Sequence, residues 1–243
     1  MRAELQPRDA CDRMIVALDF PSVEAARKLV AALGEGASFY KVGMQLAFAG
    51  GLAFIDELTR LKKRVFLDMK LLDIDNQVAG GVDSIARLGV TFTTIHAYPK
   101  AMHAATRALQ KAQVKPTERP GLLAVTALTS MSEADLKAAG YVESTAALVA
   151  RRAAEAREAG MDGIVCSPLE AALVRRTVGD GLAIVTPGVR PSGSDAGDQR
   201  RTLAPGEAIK AGADYLVVGR PIIAAADPVA AARAIVAEIE KAA

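Results

Sequence analysis

The densest chemistry in the chain is the run Asp68-Met69-Lys70-Leu71-Leu72-Asp73, which follows the apolar stretch Val65-Phe66-Leu67 and reads as the end of a buried strand. Strand side chains alternate between faces, so Asp68 and Lys70 share one face with Phe66, while Val65, Leu67 and Met69 take the other. A lysine held beside carboxylates stays protonated, because nearby negative charge favours its charged form. Such a fixed cation beside an ionised carboxylate is a preorganised charge that a site can use. Asp73 lies beyond the strand end, where it can fold back toward the pair or reach a neighbouring subunit. An isolated Asp-x-Lys is also the mark of an ion pair at a solvated strand end, and such pairs are individually weak. The surrounding elements decide between the two readings.

Short apolar runs rich in β-branched residues alternate with Ala-rich amphipathic stretches roughly eight times, which is the pattern of βα units around a parallel sheet. Strands are expected at 14–19, 39–43, 65–70, 92–96, 122–126, 163–166, 183–186 and 215–219. Helices are expected near 22–33, 51–62, 77–88, 99–112, 144–159, 168–176, 205–211 and 228–241, where apolar residues recur at helical spacing. Pro21-Ser22, Ser167-Pro168 and Asp227-Pro228 are helix starts. The expected fold is α/β, a closed (β/α)8 TIM barrel, although an open doubly wound sheet shares much of this pattern. No composition break marks a second domain, so residues 1–243 are read as a single (β/α)8 barrel domain, with 111–120 a surface loop.

Barrel active sites lie at the C-terminal strand ends, and the charged residues of this chain collect there. Asp19, Lys41, the Asp68/Lys70 pair, His96, the stretch Thr126 to Ser130, Pro187-Gly188-Val189-Arg190 and Gly219-Arg220-Pro221 all close a strand. Ionic groups inside a barrel are costly unless paired or used, so Asp19, Lys41, Asp68 and Lys70 together indicate a site.

Composition narrows the partners. A net charge of +2 and the absence of a dense Lys/Arg run argue against nucleic acid; Lys62-Lys63-Arg64 and Arg175-Arg176 read as short, solvated helix ends. Cys11 and Cys166 fit neither a metal spacing nor a disulfide framework and are read as reduced thiols. The first residues, Met1 to Arg13, are polar and mixed in charge, and no apolar run approaches a membrane span, so the expected compartment is the cytoplasm.

These elements together resemble the orotidine 5'-monophosphate decarboxylase family. The likeness runs over nearly the whole chain, through Ala17-Leu18-Asp19, Tyr40-Lys41-Val42-Gly43, Asp68-Met69-Lys70-Leu71-Leu72-Asp73-Ile74, Leu128-Thr129-Ser130, Thr186 to Pro191, Gln199-Arg200-Arg201 and Val218-Gly219-Arg220-Pro221. The resemblance implies a metal-free, cofactor-free decarboxylation of a nucleotide substrate in a homodimer of barrels. By the same resemblance Lys70 is the proton donor to pyrimidine C6 and Asp68 faces the departing carboxylate. Lys41 holds the charged network and contacts the ribose, Asp19 binds a ribose hydroxyl, and Asp73 crosses from the partner chain with Ile74 and Gln77 beside it. Thr129 (or its neighbour Ser130) meets the pyrimidine edge, and Arg190, Gln199, Gly219 and Arg220 hold the phosphate. The long, Gly-containing segment 188–205 suits a phosphate-gripping lid.

The chain departs from the family pattern at three places. Asp75 stands where a small residue or proline is usual and Gln77 where threonine is usual, and a glutamine amide reaches farther than a hydroxyl. Tyr98-Pro99 follows His96-Ala97 where many relatives of the family place glycines after His-Ala, which points to a structural His96. Metal-dependent relatives, a keto-gulonate phosphate decarboxylase or a hexulose phosphate synthase, share a similar Asp-x-Lys-x-x-Asp core, but no further carboxylate here clearly belongs to a metal site. A catalytically silent nucleotide-binding barrel is the remaining alternative.

Overall fold

The computed structural model describes residues 1–191 and 202–242. Among them, parallel strands β1 (Met14–Ala17), β2 (Phe39–Gly43), β3 (Arg64–Leu71), β4 (Phe92–His96), β5 (Gly121–Val125), β6 (Gly163–Val165), β7 (Ala183–Pro187) and β8 (Tyr215–Val218) close a barrel in sequence order. Pairing of β1 with β8, Met14 opposite Leu216 through Val16 opposite Val218, completes the ring and excludes the open sheet. Helices α1 (Val23–Leu33), α2 (Leu52–Arg60), α3 (Asp75–Ala86), α4 (Pro99–Lys111), α5 (Thr145–Glu158), α6 (Ala171–Val178) and α7 (Pro205–Lys210) return the chain between strands, and α8 (Pro228–Glu240) follows β8. None of the described helices is long and apolar enough to cross a membrane.

The expected helix starts form as capped N-termini. Ser22 accepts a hydrogen bond from Ala25 N and Asp227 from Ala230 N, satisfying amides that would otherwise lack partners. Ser167 caps a short 3-10 turn, Pro168–Glu170, that leads into α6. One short helix, Glu133–Ala138, was not expected from periodicity; it is fixed by a reciprocal capping box between Ser132 and Asp135.

Alternation divides the strands cleanly. Outward residues such as Val16, Tyr40, Val42, Val65 and Leu67 pack against the helices. Inward residues Phe39, Phe66, Phe92 and Tyr215 fill the lower barrel together with Leu5 from the N-terminal segment. Phe92 meets Phe39 at 5.7 Å and Tyr215 at 5.3 Å between ring centroids. Burial of each such side chain contributes about 1.5–3 kcal/mol.

Two sequence expectations need correction here. Arg64 is no solvated helix end: it opens β3, lies 4.5 Å over the Phe39 ring and donates to Tyr215 Oη at 3.2 Å. It also faces Asp12 at 3.5 Å. Asp12 is fully buried, and burial opposes its charge, yet hydrogen bonds from Arg8 and Ser38 and the Arg64 charge lower its pKa to about 2. Arg175 likewise is tied down, bonded to Asp214 at 2.7 Å and to the carbonyls of Gly179, Leu182 and Gly212. The neighbouring Lys62 and Arg176 are exposed, as expected.

Candidate active site

At the opposite end, the C-terminal strand ends surround a cavity of about 450 Å³. Asp19, Lys41, Asp68, Lys70, Thr129, Arg190, Gly219 and Arg220 all line it, although they come from six different strand ends or loops. The period-2 alternation delivers them: Phe66, Asp68 and Lys70 share the inner face of β3, and Lys41 lies on the inner face of β2 beside them.

Charge alternates across this array. Lys41 Nζ donates to Asp19 Oδ1 at 3.0 Å and lies 3.6 Å from Asp68 Oδ2. Lys70 Nζ donates to both Asp68 oxygens, at 2.8 and 2.9 Å. Burial of Asp68 opposes its ionisation, but the Lys41 and Lys70 charges and the hydrogen bonds from Lys70 and Thr94 outweigh it and hold the carboxyl below its usual range. Both carboxylates thus stand against ammonium groups. Among the described residues no group of three or more His, Cys, Asp or Glu side chains gathers as a metal set.

Two residues to which sequence reasoning gave no role shape the array. A Cβ on Gly43 would stand 2.9 Å from Lys41 Nζ and 3.4 Å from Asp19 Oδ1, so glycine leaves room for the ion pair. Thr94, fully buried on the inner face of β4, accepts from Lys70 N at 2.8 Å and donates to Asp68 Oδ1 at 2.9 Å. Its place between Phe92 and His96 in the alternating pattern was the available signal; its partners on β3 were not visible from β4 alone.

Thr129 is buried and Ser130 exposed, although both reach the cavity. Arg190 is buried and bonds the Val189 carbonyl at 2.8 Å, and Arg220 is exposed at the start of a short helix, Arg220–Ile223. Gln199 lies outside the described residues, as does most of the segment expected to form a lid. Asp73, Ile74 and Gln77 are exposed and do not line this cavity. Asp73 Oδ1 turns instead to the Ile74 amide at 2.6 Å, and Asp73 and Ile74 border a separate recess with Tyr98 and Lys100.

His96 ends β4 near the array. Burial, then the Lys70 and Arg152 charges, push its pKa below the usual value, so the imidazole is neutral at neutral pH. Tyr98 is an anchor: its hydroxyl lies 2.8 Å from that of Tyr141, and the Arg152 guanidinium sits 4.8 Å over its ring. Arg152, itself buried, also donates to the Thr126 carbonyl at the root of the loop that carries Thr129.

Residues 12–235 match the family model of "Orotidine 5'-phosphate decarboxylase / HUMPS family". The chain belongs to this family. A protein of Afipia carboxidovorans named orotidine 5'-phosphate decarboxylase is 57% identical over 233 residues, covering 96% of this chain and 97% of that one. A second of the same name, from Rhodopseudomonas palustris, is 55% identical over 235 residues, 97% of each chain. Among solved structures, the orotidine 5'-phosphate decarboxylase of Lactobacillus acidophilus superposes with TM-score 0.82 at 38% identity, covering 93% of this chain and 98% of that one. An uncharacterized conserved protein from Geobacillus kaustophilus gives 0.79 at 33%, with 93% and 99% covered. The orotidine 5'-phosphate decarboxylase family thus accounts for the barrel from β1 to α8.

Proposed function

We propose that this chain decarboxylates orotidine 5'-monophosphate to uridine 5'-monophosphate and CO2, the last step of pyrimidine nucleotide synthesis, as a single-domain cytoplasmic enzyme acting as a homodimer. The observation that carries the reading is the Lys70 ammonium, bonded to both oxygens of Asp68 inside a cavity whose rim holds Arg190 and Arg220. The relatives named orotidine 5'-phosphate decarboxylase support the choice of substrate.

In the reaction, the bond between C6 and the carboxylate breaks, CO2 departs, and the electron pair stays on C6. Lys70 Nζ delivers a proton to that carbon and is reprotonated from solvent, so each turnover takes up one proton. Asp68 faces the departing carboxylate. Like charges about 4 Å apart at an effective dielectric near 20 repel by roughly 4 kcal/mol, which bounds what that contact contributes. Enzymes lower barriers by about 8–23 kcal/mol, so the greater share comes from Lys70 stabilising the carbanion in a site where its charge is already in place.

Lys41 orients the array between Asp19 and Asp68 and, with Asp19, holds the ribose; Thr129 meets the pyrimidine edge. Gly219, Arg220, Arg190 and Gln199 grip the phosphate, in keeping with the phosphate sites that barrels build after their last two strands. Asp73 of one chain serves the partner's cavity, with Ile74 and Gln77 beside it at the interface. The fit of residues to chemistry leaves no step that calls for a metal or cofactor.

The deciding experiment follows loss of the orotate ultraviolet band when purified, chelator-treated protein meets orotidine 5'-monophosphate. Turnover unaffected by chelator is expected; turnover abolished by chelator and restored by a divalent cation would assign the chain to a metal-dependent chemistry. Binding of uridine 5'-monophosphate with no turnover would mark a silent barrel. For the phosphate grip, Arg220→Ala is expected to lower kcat/KM about 10- to 100-fold through loss of a charge-assisted hydrogen bond, with stability changed by less than about 0.5 kcal/mol because the residue is exposed. Equal loss on orotidine, which has no phosphate, would show that Arg220 acts some other way.

A further inference from the structure

Strand β3 leaves regular pairing where the charged array begins. Leu67 pairs with Thr93 and Leu71 with Ile95, so three residues of β3 span the interval that Thr94 alone spans on β4. The surplus is absorbed by a bulge in which Lys70 takes φ +50°, a left-handed conformation that a residue bearing a Cβ adopts only where its surroundings hold it.

Thr94 is what holds it. A backbone amide only donates and a carboxylate only accepts, so the two hydrogen bonds fix the hydroxyl's direction: oxygen toward Lys70 N at 2.8 Å, proton toward Asp68 Oδ1 at 2.9 Å. One fully buried side chain therefore sets both the backbone that aims the Lys70 side chain and the carboxylate that receives its ammonium. The adjacent Thr93 is equally buried and points to the other face, where its hydroxyl has no hydrogen-bond partner among the described residues. Two neighbours of the same type and burial thus separate the threonine whose hydroxyl bonds the array from the one whose hydroxyl does not.

We infer that Thr94 is a positioning residue of the site, stitching the β3 bulge so that Lys70 and Asp68 meet the substrate in register. The inference rests on the decarboxylase reading, and wild-type turnover in the same assay tests that reading separately.

The experiment compares Thr94→Val, Thr94→Ser and Thr93→Val with wild type in steady-state decarboxylation of orotidine 5'-monophosphate, with uridine 5'-monophosphate affinity measured alongside. Thr94→Val keeps the shape and removes the hydroxyl, and misplacement of reacting groups by about 1 Å costs on the order of 100-fold. Expected are a kcat about 100-fold lower with KM and product affinity within about threefold, recovery to within about fivefold in Thr94→Ser, and no change in Thr93→Val. If Thr94→Val fails to fold, Thr94→Ala against Thr94→Ser decides: serine must exceed alanine at least tenfold in kcat. A kcat for Thr94→Val within threefold of an active wild type, a loss confined to KM, or serine no better than the variant without a hydroxyl would overturn the inference.

Discussion

Lys70→Ala is expected to lower kcat by about 10⁴-fold or more while the protein folds and still binds uridine 5'-monophosphate. Removal of a positioned proton donor costs about 10²–10⁴-fold, and Lys70 is also the fixed cation beside C6, so the two losses fall on one side chain. The fold should tolerate the change. Asp68 keeps the Thr94 hydrogen bond at 2.9 Å and Lys41 at 3.6 Å, so its carboxylate is not left alone. Alanine meets the same left-handed backbone requirement as lysine at this position. Single-turnover loss of the orotate band, nucleotide titration and thermal denaturation measure the three quantities. Decarboxylation within about 100-fold of wild type would remove Lys70 from the role of proton donor.

The second large effect is rescue by mixing. Asp73 is exposed and outside the cavity its own chain builds, whereas Lys70 lines that cavity. If each site takes Lys70 from one chain and Asp73 from the other, Lys70→Ala and Asp73→Ala homodimers are both impaired. A mixed dimer then holds one doubly damaged site and one intact site. Random exchange makes half of the dimers mixed, so about a quarter of all sites recover. The two variants are denatured, refolded together and compared with each refolded alone, with exchange confirmed by differential tagging. Activity at the mean of the parents, despite exchange, would mean that Asp73 serves no neighbouring site.

Much of this architecture was legible because local pattern and global fold agree. The runs 39–43 and 92–96 begin and end as expected, since short apolar stretches bounded by polar turns leave little freedom. Strand β1 stops at Ala17 rather than at residue 19 because the chain turns there, Phe20 N bonding Leu18 O, which frees Asp19 to reach Lys41. Asp19, Lys41, Asp68 and Lys70 were found from their charge, since ions at strand ends need a reason, whereas Thr129, Arg190, Gly219 and Arg220 came from the family resemblance.

What escaped notice depends on partners distant in sequence. Arg64 looked like one of three solvated cations, and only the register of β2, β3 and β8 shows it stacked on Phe39 and bonded to Tyr215. Arg175 finds Asp214 across the turn between other elements. Thr94 looked like any β-branched strand residue until the slipped register of β3 gave it two partners. The helix Glu133–Ala138 is too short for periodicity to reveal, though Ser132 and Asp135 carry its capping signal.

The aromatic floor has a consequence for traffic. Phe39, Phe92 and Tyr215 are wholly shielded from solvent, and the Tyr215 hydroxyl is latched to the Leu5 carbonyl at 2.5 Å, so the described residues close the barrel's floor and leave the strand-end cavity as its neck. Nucleotide, gas and replacement water must share that neck. Carbon dioxide formed beside Lys70 meets that packed floor below and the seated nucleotide above, so the two products compete for the same opening.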